Sequence, residues 1–139
     1  MRQSSTIRIF RLLACLYAVV IVAVSSWPRL RLPDIGMSGV DKVAHFGQYA
    51  IFSFLVAGGW RRSAGSLRRP IAWLPILVLI TFAALDEYHQ GWIPGRDRDV
   101  LDWAADLVGI VIGYWAGGRW VTGGSRSAQP ESRVGGAQQ

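Results

Sequence analysis

The sequence predicts an all-α membrane protein, with four transmembrane helices in an antiparallel bundle and both termini in the cytoplasm. Apolar residues make up 51% of the 139 residues and charged residues only 17%, whereas soluble domains carry about 25% charged residues. The apolar residues fall into four long blocks, and 14 of the 15 basic residues are arginines that lie mostly between those blocks. The net charge of +6 is therefore interpreted as a topology signal, and no nucleic-acid partner is expected.

Each apolar block approaches the roughly 20 residues that a helix needs to cross the hydrocarbon layer of a bilayer. Four such helices occupy most of the chain, so residues 1–120 are predicted to form a single four-helix membrane domain. The predicted helices cover about residues 7–27, 43–60, 71–90 and 100–120.

The first block also has a second interpretation. Arg2, Arg8 and Arg11 precede an apolar run that ends in Ala23-Val24-Ser25, and this order is typical of a cleaved signal peptide. Because further apolar blocks follow, an uncleaved first helix is the favoured interpretation.

The distribution of basic residues predicts the orientation. With the amino terminus inside, 10 basic residues lie on the cytoplasmic side and 5 on the outer side, which agrees with the positive-inside rule. The expected location is a bacterial inner or plasma membrane, crossed several times. Residues 121–139 are rich in Gly, Ser, Ala and Gln, a composition that predicts a disordered cytoplasmic tail.

Polar side chains on the second helix are the first candidate site residues. An ionisable residue at the centre of a membrane helix costs about 2.5–3.5 kcal/mol on insertion scales, so such residues tend to face a bundle interior or a site. Lys42, His45 and Tyr49 are spaced so that they share one helical face. The alternative is an interfacial role, with Lys42 extending to the headgroups and Tyr49 in an aromatic belt.

The outer end of the third helix and the following link add further candidates. Glu87 and Gln90 are three residues apart and share a face, although the two adjacent carboxylates Asp86 and Glu87 also suit a helix that simply leaves the membrane. Pro94-Gly95 predicts a turn, and the planar guanidinium of Arg96 can clamp a carboxylate or a phosphate.

The fourth helix carries an acidic stripe that continues as a glycine stripe. Asp99, Asp102 and Asp106 lie on one face. Small residues spaced by four let another helix approach closely, so a homodimer through this stripe is one expectation. The alternative for the acidic stripe is a structural pairing with Lys42 or Arg96 that sets the helix register. The glycines of the stripe are Gly109, Gly113 and Gly117.

The predicted topology brings these groups to one level, because the second helix starts, the third ends and the fourth starts on the outer side. We expect one ligand-binding pocket in the outer leaflet, with no metal and no cofactor. Its predicted residues are Lys42, His45, Tyr49, Glu87, Gln90, Arg96, Asp99, Asp102 and Asp106.

The same residues occur in ordered motifs that resemble the VanZ-like family over about residues 41–117. The fourth motif departs from the family pattern, which commonly has Asn where this chain has Asp106. The motifs are Asp41-Lys42-Val43-Ala44-His45-Phe46 with Tyr49, then Glu87-Tyr88-His89-Gln90, then Pro94-Gly95-Arg96, and finally Asp102-Trp103-Ala104-Ala105-Asp106-Leu107-Val108-Gly109.

The resemblance implies a small integral membrane protein, and the family's namesake is associated with low-level resistance to the glycopeptide teicoplanin. The first hypothesis is a non-catalytic membrane protein that binds or modulates a lipid-linked cell-envelope precursor or the glycopeptide itself, with membrane lipid as its surroundings. In this hypothesis Lys42 and Arg96 contact phosphate or carboxylate. The second is an enzyme that acts on lipid phosphates with a carboxylate-bound metal, and the third is a small proton-linked transporter.

Overall fold

The computed structural model describes residues 2–28, 39–61 and 73–126. These residues form four α-helices and contain no strand, as the sequence predicts. Residues 29–38, 62–72 and 127–139 lie outside the described residues, and they include parts of the predicted loops, the first two residues of the predicted third helix and most of the predicted tail over 121–139. The helices are α1 (Arg2–Ser25), α2 (Val40–Arg61), α3 (Leu74–Gln90) and α4 (Val100–Arg126).

Local sequence signals account for the helix ends. Gly39 has a φ of 94° and precedes α2, where its carbonyl oxygen accepts the Val43 amide at 3.1 Å. Pro75 stands in the first turn of α3, where a missing amide hydrogen does no harm. Asp99 caps α4. Its carboxylate accepts a hydrogen bond from the Leu101 amide at 2.8 Å, and its carbonyl oxygen accepts hydrogen bonds from the amides of Asp102 and Trp103.

Contacts at the two ends show that the helices alternate in direction. At one end, the Ser25 hydroxyl at the close of α1 meets Asp86 of α3. At the opposite end, the ring of Phe10 from α1 packs on Phe54 of α2 and Trp120 of α4, with centroids 6.3 and 5.5 Å apart. The bundle is therefore antiparallel, and the ends of α1 and α3 lie beside the starts of α2 and α4.

The central contact of the bundle is the packing of α4 on α2 through the glycine stripe. A Cβ atom on Gly109 would overlap the backbone of Phe46, and one on Gly113 would overlap the backbone of Ala50. A Cβ atom on Gly117 would likewise overlap the backbone of Phe54. The stripe is thus buried inside one chain, and the homodimer predicted through it would require α2 to move away.

The outer surface of the bundle is apolar and its interior is partly polar. Leu16, Val19, Leu77 and Val111 are among many exposed aliphatic side chains, whereas Asp106 is 1% exposed. Two stretches, Ser5–Ser25 and Val100–Trp120, are long and apolar enough to cross a membrane. This inverted distribution is the arrangement expected of a protein surrounded by lipid.

Replacing Gly113 by Ala will destabilise the fold, because the new methyl group meets the backbone of Ala50 as well as the Ser53 hydroxyl, and the backbone cannot move aside as a side chain can. Overpacking of this kind costs about 1–3 kcal/mol. The matched control is Gly47→Ala on α2, where nothing lies within 4 Å of the added Cβ. Thermal unfolding in detergent measures both variants, and equal midpoints for the two would contradict the close contact.

Candidate functional site

The outermost layer of the site is an ion cluster centred on Lys42. Its Nζ lies 2.7 Å from Asp99, 2.9 Å from Asp102 and 3.1 Å from Asp41. Lys42 stands in the first turn of α2, Asp99 caps α4 and Asp102 is in the first turn of α4. The ammonium therefore ties the start of α2 to the start of α4.

The charges of this outer layer reinforce one another. A hydrogen bond from the Lys42 ammonium lowers the pKa of the Asp99 carboxyl below its usual range. The bonds to Asp99 and Asp102 in turn raise the pKa of Lys42 above its usual range. Both groups thus stay ionised over a wide range of pH around neutrality.

The next layer is formed by His45 and Asp106. His45 Nδ1 lies 3.1 Å from an Asp106 carboxylate oxygen, and Nε2 lies 3.9 Å from Asp102. His45 follows Lys42 on the same face of α2, while Asp102 and Asp106 stand one turn apart on α4. The imidazole is held between two carboxylates, and it can hold or release a proton there.

Glu87 connects α3 to the same cluster. One carboxylate oxygen, Oε1, accepts the backbone amide of Asp99 at 2.6 Å, which fixes the start of α4 against the end of α3. The other oxygen, Oε2, is buried and has no hydrogen-bond partner. Glu87 as a whole is only 8% exposed, so one acceptor of a buried carboxyl group remains unsatisfied.

A chain of hydrogen bonds links the loop, α3 and α1. Arg96 donates to Gln90 Oε1, Gln90 donates to Asp86 at 3.2 Å, and Ser25 donates to the same Asp86 oxygen at 2.9 Å. Asp86 and Ser25 were not predicted as site residues. Asp86 had a signal, since it lies four residues before Gln90, but Ser25 had none because its role depends on how α1 packs against α3.

A second bond ties α1 to α3. The Ser26 hydroxyl donates to the Val22 carbonyl oxygen at 2.6 Å and lies 3.0 Å from His89 Nε2. Its single proton is used on Val22, so Ser26 accepts a hydrogen bond from His89. These contacts hold the end of α1 against the end of α3.

Tyr49 and Ser53 form the innermost layer. Tyr49 is fully buried, its ring packs on Phe52 and Phe82, and its hydroxyl makes no hydrogen bond of ordinary geometry. The Ser53 hydroxyl bonds to the backbone carbonyl oxygens of Ala50 and Gly109. From Lys42 to Ser53 the polar groups extend along α2 for about 16 Å, at 1.5 Å per residue.

The structure places all nine predicted site residues at one end of the bundle. Lys42, Asp99 and Asp102 share one ion cluster, and His45 connects it to Asp106. Arg96 enters the network through Gln90 rather than through a carboxylate. The juxtaposition is observed, whereas the binding role of these residues stays a prediction.

Carboxylates outnumber cationic groups in this network. Within the described residues, one group of three carboxylates has oxygens within 4.8 Å of one another, namely Asp41, Asp99 and Asp102. Lys42 Nζ bonds to all three, so the chain supplies its own cation at this position. The deeper carboxyl groups are those of Asp86, Glu87 and Asp106, and His45 contacts the last of them.

The Lys42–Asp99 pair will make stability depend on pH at the acid limit. Because the pKa of Asp99 is lowered in the folded state, its stabilisation is present above the ordinary carboxyl pKa of 3.8 and is lost as the pH falls further. Asp99→Asn will therefore unfold at a lower temperature than the natural protein at neutral pH. The difference between the two midpoints will shrink below about pH 4.

Thermal unfolding between neutral pH and pH 3 measures this difference, with Asp97→Asn in the same exposed loop as the control. A difference between Asp99→Asn and the natural protein that stays constant over that range would contradict the assigned ion pair.

Comparison with known proteins adds the family. The family model described as VanZ/LLP1 matches residues 3–119. This range includes α1 from its second residue, all of α2 and α3, and α4 as far as Arg119. Neither a curated protein nor a solved structure matches the chain. The match covers most of the 139 residues and contains every residue of the site, so the chain belongs to the VanZ/LLP1 family.

Proposed function

We propose that this VanZ-family protein is a multi-pass protein of the bacterial inner or plasma membrane that binds or modulates a lipid-linked cell-envelope component or a glycopeptide antibiotic. The ligand engages the charged cluster at the outer side. The observation that carries the proposal is the convergence of buried ionisable side chains from α2, α3 and α4 at one end of an otherwise apolar bundle. Such groups are costly beside lipid, and they tend to mark a site.

The proposal of four spans rests on the surface of the bundle. Exposed aliphatic side chains occur on every helix, so no helix is shielded as a soluble core helix would be. Exposed tryptophans occupy both ends, with Trp27 and Trp92 at the end that holds the site and Trp73 and Trp120 at the other. Tryptophans at two levels are typical of the two membrane interfaces.

The proposed orientation puts the site on the outer side and both termini in the cytoplasm. The support is the basic-residue count of 10 against 5 in the sequence. Lys42 and Asp99 then lie in the outer headgroup region, while Asp106 and Tyr49 lie deeper in the outer leaflet. A ligand anchored in the outer leaflet reaches this site without crossing the membrane.

The polar layers favour a binding role over a transport role. Beyond Ser53, the facing surfaces of α2 and α4 consist of Gly113, Gly117 and Ala57 with their apolar neighbours. The polar column is therefore closed at its inner end within the described residues. The metal-dependent enzyme hypothesis has less support, because the Lys42 ammonium already lies among the three carboxylates that are close enough together to share an ion.

The orientation is tested by labelling single cysteines in intact cells, after Cys15→Ala removes the native thiol. We expect Asp97→Cys to react with a membrane-impermeant maleimide from outside. Ser132→Cys will react only after the cells are permeabilised. The reverse pattern would show that the site faces the cytoplasm and would overturn the proposed orientation.

The binding function is tested with Glu87→Gln and Asp102→Asn, which keep the shapes of the side chains and remove their charges. Teicoplanin and a lipid-linked peptidoglycan precursor are titrated against the purified full chain in nanodiscs. We expect binding of one of these ligands to weaken by about tenfold or more, the effect of losing one charged hydrogen bond. Asp97→Asn, which lies outside the cluster, will bind like the natural protein.

Folding and binding are separated by measuring the unfolding midpoint of each variant. Folded variants that bind both ligands as the natural protein does would argue against the site. No binding of either ligand by the natural protein would argue against the proposed ligand classes.

A further inference from the structure

We propose that the site recognises a primary ammonium group of its ligand, which is received by Glu87 Oε2 and the hydroxyl of Tyr49. The inference rests on the proposed binding function and names the chemistry of the ligand. It departs from the expectation that Lys42 and Arg96 bind a phosphate or carboxylate. Four steps lead to it.

The first step is the unsatisfied acceptor on α3. Glu87 is more than nine-tenths buried, and Oε1 is committed to the Asp99 amide at 2.6 Å. That bond fixes the direction of the carboxyl group, and Oε2 is left buried without a donor. Leaving a buried polar atom unpaired costs about 1–3 kcal/mol, more if it is charged, so a donor from outside the chain is strongly favoured at this position.

The second step is the unsatisfied hydroxyl on α2. Tyr49 has no exposed surface, and its oxygen is buried without a partner. The Tyr49 ring packs on Phe82 of α3, the helix that carries Glu87. A hydroxyl oxygen and a carboxylate oxygen are both acceptors, and an ammonium group has three donors to distribute between them.

The third step is charge. Asp86, Glu87 and Asp106 are buried below the Lys42 cluster. His45 contacts Asp106, whereas Asp86 is held by the neutral side chains of Ser25 and Gln90. Buried carboxyl groups thus outnumber their cationic partners in this layer, which suits a cationic ligand group better than a phosphate.

The fourth step is what Lys42 does in this structure. The Lys42 ammonium donates its hydrogen bonds to Asp41, Asp99 and Asp102. It therefore has no donor left for a phosphate or a carboxylate of the ligand. It shows instead that carboxylates from the start of α2 and of α4 form an ammonium-binding arrangement. The ligand ammonium repeats this pairing one layer deeper, with Glu87 as the principal acceptor.

The test uses probes that share one alkyl chain and differ in the headgroup. Dodecylamine, dodecanol and dodecyl phosphate are titrated at neutral pH against the full chain in phosphatidylcholine nanodiscs, and binding is followed by calorimetry. We expect saturable binding of dodecylamine, with dodecanol and dodecyl phosphate weaker by about tenfold or more. Dodecyl phosphate binding as tightly as dodecylamine would overturn the inference.

Variants show whether the named atoms are responsible. Glu87→Gln removes the charge, Tyr49→Phe removes the hydroxyl, and each will weaken dodecylamine binding by about tenfold. Asp97→Asn is the matched control, since it removes the same charge from an exposed position of the nearby loop. Dodecylamine binding unchanged in both site variants would overturn the inference. If Glu87→Gln does not fold, Tyr49→Phe decides alone, provided that its unfolding midpoint matches that of the natural protein.

Two further arms identify the source of the amine and separate this inference from the proposed function. Adding phosphatidylethanolamine to the nanodiscs will compete with dodecylamine if the amine belongs to a membrane lipid. It will have no effect if the amine belongs to a ligand from outside the membrane. Both comparisons are made on a protein that has shown saturable dodecylamine binding. If the protein binds teicoplanin or the lipid-linked precursor but not dodecylamine, the proposed function stands and the inferred ammonium site is wrong.

Discussion

The close contact of α4 with the backbone of α2 is the constraint on which the rest of this structure depends. Without side chains at Gly109, Gly113 and Gly117, the two helices approach until the glycines touch the α2 backbone. In a bilayer, apolar burial adds little to helix association, and close packing and polar contacts supply most of it. The glycine contact also sets the register, because the acidic stripe of α4 continues along the same face and meets Lys42 and His45.

The polar end of the bundle gains its character from this register. Lys42 joins the starts of two helices, Glu87 holds the loop before α4, and Ser25 closes the side formed by α1. Most of these groups have partners within the chain, and those contacts join all four helices at this end of the bundle. The few buried polar atoms that lack partners therefore stand out as the places where a ligand can gain hydrogen bonds that the chain does not make.

Much of the architecture could be predicted because helical periodicity and apolar length are local properties. The four helices occur where the apolar blocks lie, and Lys42, His45 and Tyr49 share a face as their spacing indicates. The ends were less predictable, since α1 begins at Arg2 and α4 continues to Arg126. Helix ends depend on capping and on neighbouring segments, and polar residues do not by themselves stop a helix outside the apolar layer.

Charged positions, shared helical faces and the family resemblance could all be predicted, because they follow from composition, ordered motifs and spacing along one helix. The packing of the helices determines which of these groups contact one another. It assigned Lys42 to three carboxylates, brought Ser25 to Asp86 and left one oxygen of Glu87 unpaired. It also turned the glycine stripe inward. Those outcomes depend on the distance and rotation between helices, which are set by side-chain volume at their contacts and not by the pattern of any single helix.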